Sequence, residues 1–261
     1  MIKTSTHDGI TTIAFDRPET LNALTRELGE QALCALRDAA ASGAKAVVLT
    51  GTGRAFSAGA DLVGFSAVGA QGGEALAQSV GRDMREAMNP LSEAIADSPI
   101  PVISAVNGPC VGGGVGIALA ADVAIAARSA YFLLPQVTQL GIVPDLGATW
   151  ALPRKLGRAR ALGASLLGER IDAERAEAWG LIWKCVDDAA LMDEAMAIAR
   201  QLARSPSAAV RATRALIDAA PSATLHTQLE QERLCQVEFV GSAFFREAVA
   251  RFVTVSSNLG R

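Results

Sequence analysis

The chain has 261 residues, half of them hydrophobic, with 20% charged, 5% aromatic, a formal net charge of -3 and a pI near 5.5. That length can bury one large core, and the slightly acidic balance leaves no basic footprint for nucleic acid. Cys34, Cys110, Cys185 and Cys235 lie far apart with no C-x-x-C pair and no nearby His, so reduced cysteines in a cytoplasmic protein are expected rather than structural zinc.

Met1-Ile2-Lys3-Thr4-Ser5 lacks the apolar core of a signal peptide. Residues 10–15 read as a strand, broken by Asp16-Arg17-Pro18-Glu19, and a helix is expected from about 25 to 41 with Thr25 as its N-cap. A buried-type strand over 46–50 is stopped by Gly51-Thr52-Gly53, and a loop of small residues runs from Arg54 to Leu62. The stretch 64–81, rich in Gly, Ala, Ser and Gln, is expected to be a mobile surface segment of the kind that forms lids. A helix over 82–97 leads through Ser98-Pro99-Ile100-Pro101 into a strand ending at Val106. Asn107-Gly108-Pro109-Cys110-Val111 then opens a glycine turn, Gly112-Gly113-Gly114, that runs straight into an alanine-rich helix. A strand near 123–126, an extended piece at Tyr131-Phe132 and a loop to Pro144-Asp145 follow. The most apolar stretch, 115–127, is too short to cross a bilayer and contains Asp122. From Leu146 onward the pattern is helical, with periodicity over 160–167, 173–179, 191–203, 208–219, 225–240 and 242–253. Strand-and-helix units fill the first two-thirds and helices the last, which makes the class α/β.

Familiar nucleotide and hydrolase motifs are missing. No G-x-G-x-x-G follows a strand in its proper place, and there is no P-loop. Ser57 lacks the first glycine of a nucleophile elbow, and His7 and His226 lie near opposite ends of the chain. Two strand-to-loop corners of small residues remain, around Ala60 and around Gly113. Each could expose backbone N–H groups, and two such donors facing one point would form an oxyanion hole. A tight packing corner is the structural alternative for the glycines. Three carboxylates lie near the corners. Asp61 sits in the first, and Asp122 more simply fixes nearby backbone. Asp145 stands among apolar neighbours that would lift its pKa, or else caps the helix starting at Leu146. The Arg154, Lys155, Arg158 and Arg160 cluster suits either a solvated helix face or an anionic small molecule.

The chain resembles the enoyl-CoA hydratase/isomerase (crotonase) family over nearly its whole length. The resemblance rests on Arg17-Pro18-Glu19-x-Leu21-Asn22-Ala23-Leu24, on Ala55-Phe56-Ser57-Ala58-Gly59-Ala60-Asp61-Leu62, and on Ala105-Val106-Asn107-Gly108 through Gly112-Gly113-Gly114. It implies a spiral of ββα units over 1–200 carrying the CoA and acyl sites, and a helical region over 201–261 that builds trimers, usually paired into hexamers. It also implies acyl-CoA substrates whose thioester oxygen meets the N–H groups of Ala60 and Gly113. Coenzyme A would enter as part of the substrate, with no metal, redox cofactor, nucleic acid or membrane partner. Its adenine end is expected near Asn22, Ala23, Leu24, Ala58 and Gly59, mainly at backbone atoms, with Asp61 and Leu62 beside it.

The family's hydratases use two glutamates, and both are replaced here. The first position is Gly116. The second is Gln136, or Val137 if the extra residue before Leu140-Gly141 is counted. Gly116, Gln136, Val137 and Leu140 are thus assigned to the acyl pocket. Asp145 matches the position, directly after a proline, where several isomerases of the family carry their carboxylate. Stretches such as Leu140-Gly141-Ile142-Val143-Pro144-Asp145, Thr149-Trp150-x-Leu152-Pro153-Arg154 and Trp179-Gly180-Leu181-Ile182-Trp183 look like the family's phenylacetate-pathway isomerases. Those act on ring-epoxidised phenylacetyl-CoA and also shift double bonds in enoyl-CoA chains. Ala148, where relatives usually have glycine, and the unusual 133–139 segment depart from that pattern. The expected activity is double-bond or ring-epoxide isomerisation through a thioester enolate, with Asp145 shuttling one proton. The alternatives are residual hydration, a dehalogenase-like enzyme with Asp145 as nucleophile, and a catalytically silent acyl-CoA binder.

Overall fold

The computed structural model describes the backbone of residues 1–259 and the surroundings of side chains through 253. The chain divides into two compact units, Met1–Ala203 and the residues from Arg204 onward.

The first unit opens with a hairpin of β1 (Ile2–His7) and β2 (Ile10–Phe15), turned by Asp8 and Gly9, both in the left-handed region at φ 54° and 75°. An Asp-Gly pair suits this turn because both central residues need positive φ. Helix α1 (Arg26–Ala41), capped by the Thr25 hydroxyl, which accepts from the Leu28 N–H at 3.2 Å, leads to β3 (Ala46–Gly51). Two helices then follow, α2 (Leu62–Gly69) and α3 (Gly73–Asp83), where the sequence suggested a mobile segment. Asp61 explains the first: its carboxylate accepts from the Gly64 N–H at 3.1 Å and nucleates the turn that the glycines alone would not favour. A wide π turn over Met84–Met88 passes into α4 (Asn89–Ala96), so the helix expected over 82–97 is two limbs around that turn.

β4 (Val102–Val106), the two-residue β5 (Cys110–Val111), α5 (Gly113–Leu119), β6 (Val123–Ala127) and β7 (Tyr131–Leu133) carry the middle of the chain. The Asp122 carboxylate accepts from the Val102 N–H at 2.8 Å, the backbone-fixing role expected of it. Helix α6 (Ala148–Leu167) begins 12 residues before the expected 160 and is broken at Gly157 (φ 72°). It is followed by β8 (Ile171–Asp172), α7 (Ala173–Trp179), β9 (Lys184–Val186) and α8 (Leu191–Leu202).

The main sheet has the order β1-β2-β3-β4-β6-β9, parallel throughout except for the β1–β2 edge pair. Its central strands are buried on both faces, which is why β3 and β4 read as mostly apolar runs, interrupted only by Thr50 and Ser104. Phe15 and Phe56 meet edge to face at 5.5 Å in the core beneath the first corner. A second, three-stranded sheet has the order β5-β7-β8. Because every strand pair from β2 to β6 in the main sheet is parallel, the C-terminal ends of β3 and β4 fall on the same edge, and both glycine corners leave the sheet there.

The second unit consists of α9 (Ser207–Ala219), α10 (Leu225–Val240) and α11 (Ala243–Leu259). No residue of α9 or α10 is buried, and Leu225, Leu229, Val237, Phe244, Phe252 and other large apolar side chains lie exposed. Among the described residues no helix is long and apolar enough to cross a membrane.

Candidate active site

The two corners are joined backbone to backbone. Phe56 and Ser57 N–H groups both donate to the Pro109 carbonyl at 3.1 Å, and the Val111 N–H donates to the Ser57 carbonyl at 2.9 Å. Asn107 clamps the pair: its Oδ1 accepts from the Gly51 N–H at 3.1 Å while its Nδ2 donates to the Gly53 and Ala55 carbonyls at 3.1 and 3.3 Å. A Cβ on Gly59 would lie 3.0 Å from the Val111 carbonyl oxygen, and one on Gly114 would lie 2.9 Å from the Ser57 Cβ, so only glycine allows this approach. The glycine triplet is therefore a close-packing corner as well as a helix start.

Two N–H groups escape this network. Leu24 pairs with the residues on either side of Ala60, donating to Gly59 and accepting from Asp61, and so turns the Ala60 N–H away. Gly113 opens α5, where a first-turn N–H has no partner within the helix. Neither N–H donates to another described residue. The sequence picked out these two residues, and the fold brings their corners into contact through Gly59 and Gly112, whose Cα atom lies 3.6 Å from a Cβ built on Gly59.

Asp145 comes to the same place. Its Oδ1 lies 3.2 Å from where a Cβ on Gly113 would sit, and the Leu146 side chain closes the other side of that glycine. Asp145 caps no helix, since α6 starts at Ala148 with Gly147 as a cap residue without a side-chain bond. The N-cap alternative therefore fails, because Leu146 and Gly147 both turn left-handed (φ 49° and 89°) and carry the chain away before the helix begins. Burial raises the Asp145 pKa above its ordinary value, opposed by the Gln136 amide and the residue's own N–H. No charged side chain figures among these causes.

The acyl-pocket assignments divide. Gly116 lies beneath the Asp145 loop: a Cβ there would meet the Leu146 and Asp145 carbonyl oxygens at 2.3 and 2.8 Å, so the space for a side chain is filled by backbone. Gln136, Val137 and Leu140 lie on a π turn over Gln136–Leu140. Gln136 is buried and its Nε2 donates to Asp145 Oδ1 at 3.4 Å. Val137 is half-buried, whereas Leu140 is exposed.

The segment expected to meet adenine is tied up internally. Asn22 is wholly buried: its Oδ1 accepts from the Arg17 N–H at 2.8 Å, and its Nδ2 donates to the Thr52 and Ala55 carbonyls at 3.0 and 2.8 Å. Its side chain is thus a strut that holds the backbone of this segment in place. The N–H groups of Asn22, Ala23, Leu24, Ala58 and Gly59 all donate inside the chain, and the carbonyls of Leu21, Asn22, Ala23, Leu24 and Gly59 each accept a bond there as well. Arg17, which the sequence offered only as part of a motif, donates to the Ala23 carbonyl at 2.7 Å and pairs with Asp61 at 3.2 Å, fastening this segment to the first corner. Leu62 is exposed beside it.

The enoyl-CoA hydratase/isomerase family model matches residues 5–256. The chain belongs to that family. It is an acyl-CoA enzyme of the crotonase fold, and its relatives match it nearly end to end. A Rhodobacter capsulatus protein named "Probable enoyl-CoA hydratase" is 43% identical over 248 residues, covering 94% of this chain and 92% of its own. The 1,2-epoxyphenylacetyl-CoA isomerase of Escherichia coli is 41% identical over 250 residues, covering 95% and 94%. The crystal structure of an enoyl-CoA hydratase from Polaromonas superposes with a TM-score of 0.88 at 33% identity, covering 97% of this chain and 96% of that one. Relatives of both names match the chain nearly end to end, so membership of the family does not by itself separate hydration from isomerisation.

Proposed function

We propose that the protein is an acyl-CoA isomerase that moves a double bond, or rearranges a ring epoxide, through a thioester enolate. The Ala60 and Gly113 N–H groups receive the thioester oxygen and stabilise the negative charge as it grows. For a 3-enoyl thioester, Asp145 removes the C2 proton and the electron pair of that bond enters the conjugated enolate. The same carboxyl then returns the proton at C4, and the enolate collapses to the 2-enoyl product. One carboxylate suffices, and no metal or redox group takes part. Adenine is held beside the 21–24 and 58–59 segments, mainly at backbone atoms, and the enzyme works as a trimer or a pair of trimers.

The observation that carries this reading is the half-buried Asp145 carboxylate against Gly113, with backbone filling the space above Gly116. Hydration by two carboxylates needs acids at 116 and at 136 or 137, and the residues there are glycine, glutamine and valine. The name of the Escherichia coli relative supports the same direction. The test is Asp145→Asn, assayed with a 3-enoyl-CoA for isomerisation and with a 2-enoyl-CoA for hydration. Isomerisation should fall by on the order of 100- to 10,000-fold while the affinity for a saturated acyl-CoA stays the same. Undiminished turnover by the variant would refute the assignment, and robust hydration by the native enzyme would move it to the hydratases.

A further inference from the structure

Gln136 is 3% exposed, and its Oε1 is buried without any hydrogen-bond partner, while its Nε2 makes only the long 3.4 Å contact with Asp145 Oδ1. A buried acceptor left unpaired is disfavoured, so its retention beside a reacting carboxyl calls for a partner that appears during turnover. Solvent does not reach that oxygen, and among the described residues no charged side chain shifts Asp145. The amide also lies against the glycine turn, its Nε2 3.5 Å from a Cβ built on Gly112, so it borders both the carboxyl and the oxyanion corner. We propose that Gln136 is a positioning residue whose amide serves Asp145 in both protonation states, donating from Nε2 to the carboxylate and accepting at Oε1 from the carboxylic acid. The inference rests on Asp145 being the proton carrier.

The terminal amide torsion of glutamine is broad and roughly two-fold, so a half-turn exchanges Nε2 and Oε1 without moving the rest of the side chain. Before proton abstraction Nε2 faces the carboxylate. Once Asp145 has taken the C2 proton, its O–H donates to Oε1, and the carboxyl is held in place while the enolate waits. On return of that proton to C4 the carboxylate is restored and the amide turns back. One amide atom faces Asp145 in each state, and the carboxyl never loses its orientation. A glutamate at this position could not donate to the carboxylate, and a leucine could do neither.

The experiment compares the native enzyme with Gln136→Leu and Gln136→Met, using 3-hexenoyl-CoA for turnover and hexanoyl-CoA for binding. Both variants should bind hexanoyl-CoA within about 3-fold of the native enzyme and lose kcat by on the order of 10- to 100-fold. Without the amide donor, the acid limb of kcat/KM should move to higher pH. An unchanged kcat and acid limb in both folded variants would overturn the proposal, as would a raised KM and weakened hexanoyl-CoA binding with kcat intact, which would make Gln136 a substrate contact instead. An infrared titration of the Asp145 carboxyl band, identified by difference against Asp145→Asn, gives a readout without activity: the band's midpoint must move in Gln136→Leu. If Asp145→Asn is inactive and the Gln136 variants behave as the native enzyme, only this inference falls. If Asp145→Asn stays active, the underlying reading falls first, and an unmoved band would remove this one independently.

Discussion

Burial holds the Asp145 carboxyl above its ordinary value of 3.8, so the folded protein binds that proton more tightly than the unfolded chain does. The contribution to stability is therefore fully favourable below about pH 3.8 and is lost as pH rises through the raised folded value. Once ionised, the carboxylate bears the cost of that burial in the folded protein, and its presence there fits a chemical use. Asp145→Asn should thus stabilise the protein by about 0.5–2 kcal/mol while abolishing isomerisation, a gain visible as roughly 2–4 °C in Tm for each kcal/mol. A scanning calorimeter at pH 7 checks the first half, and a lowered Tm would contradict the burial argument. Gly116 allows the converse experiment. Gly116→Glu restores the residue type of the hydratases, but its Cβ would start 2.3 Å from the Leu146 carbonyl oxygen, which is backbone and cannot yield cheaply. That variant should lose about 3 kcal/mol or more in a urea titration and gain no hydration activity. The glycine there is legible in the sequence as a missing acid; that the Asp145 loop occupies its place is not, because the contact depends on a left-handed Leu146 that no local pattern announces.

The elements around the site show how uneven the sequence signal is. Helices 173–179 and 225–240 have the same bounds in sequence and structure, because Asp172 and Thr224 cap their starts and Gly180 and Gly241 follow their ends. Strand β1 went unseen although Asp8-Gly9 is a strong hairpin signal, since five of its six residues are exposed and carry no apolar alternation. The 64–81 stretch reads as loose by composition, yet Asp61, assigned by resemblance to CoA, is the cap that starts α2. Ala60 and Gly113 stand out in the sequence because small residues after a strand leave few physical options, whereas the Gln136–Asp145 contact spans a π turn and a loop and has no periodic signature. The segment from Arg17 to Leu24 is the clearest case of one element fixing another. Leu21 and Asn22 both hold positive φ (54° and 56°), which only the surrounding bonds can enforce. Asn22→Ala would leave the Thr52 carbonyl and the Arg17 N–H without their partner and remove one of the two donors to the Ala55 carbonyl. The expected loss is about 2–4 kcal/mol, read by denaturant midpoint, with weaker acyl-CoA binding as the segment loosens. A stability change under 1 kcal/mol would mean that these bonds do not hold the turn.

At the scale of the molecule, the two units differ in how they dispose of apolar surface. The first encloses a continuous core of sheet and helix, in which the C-terminal ends of β3 and β4 deliver both corners to one edge. The second, from Arg204 onward, buries no residue of α9 or α10 and leaves Leu225 74%, Val237 65% and Phe252 78% exposed. Large apolar side chains exposed along successive helices are disfavoured in water, and exposed patches of this kind mark surfaces that associate. A further copy of the chain is the occupant this reading assigns, in keeping with the trimer proposed above. Light scattering on a sizing column should then report a multiple of 27.0 kDa that is a trimer or hexamer. Leu229→Lys combined with Val237→Lys places two charges on α10, where neither native side chain is buried, so the fold of the chain itself should tolerate them. The double variant should elute as a smaller species with its far-ultraviolet spectrum retained. If the native protein runs as a monomer at micromolar concentration, the exposed helices serve some other contact and the oligomer is withdrawn, while the chemistry assigned to Asp145 stands on its own test.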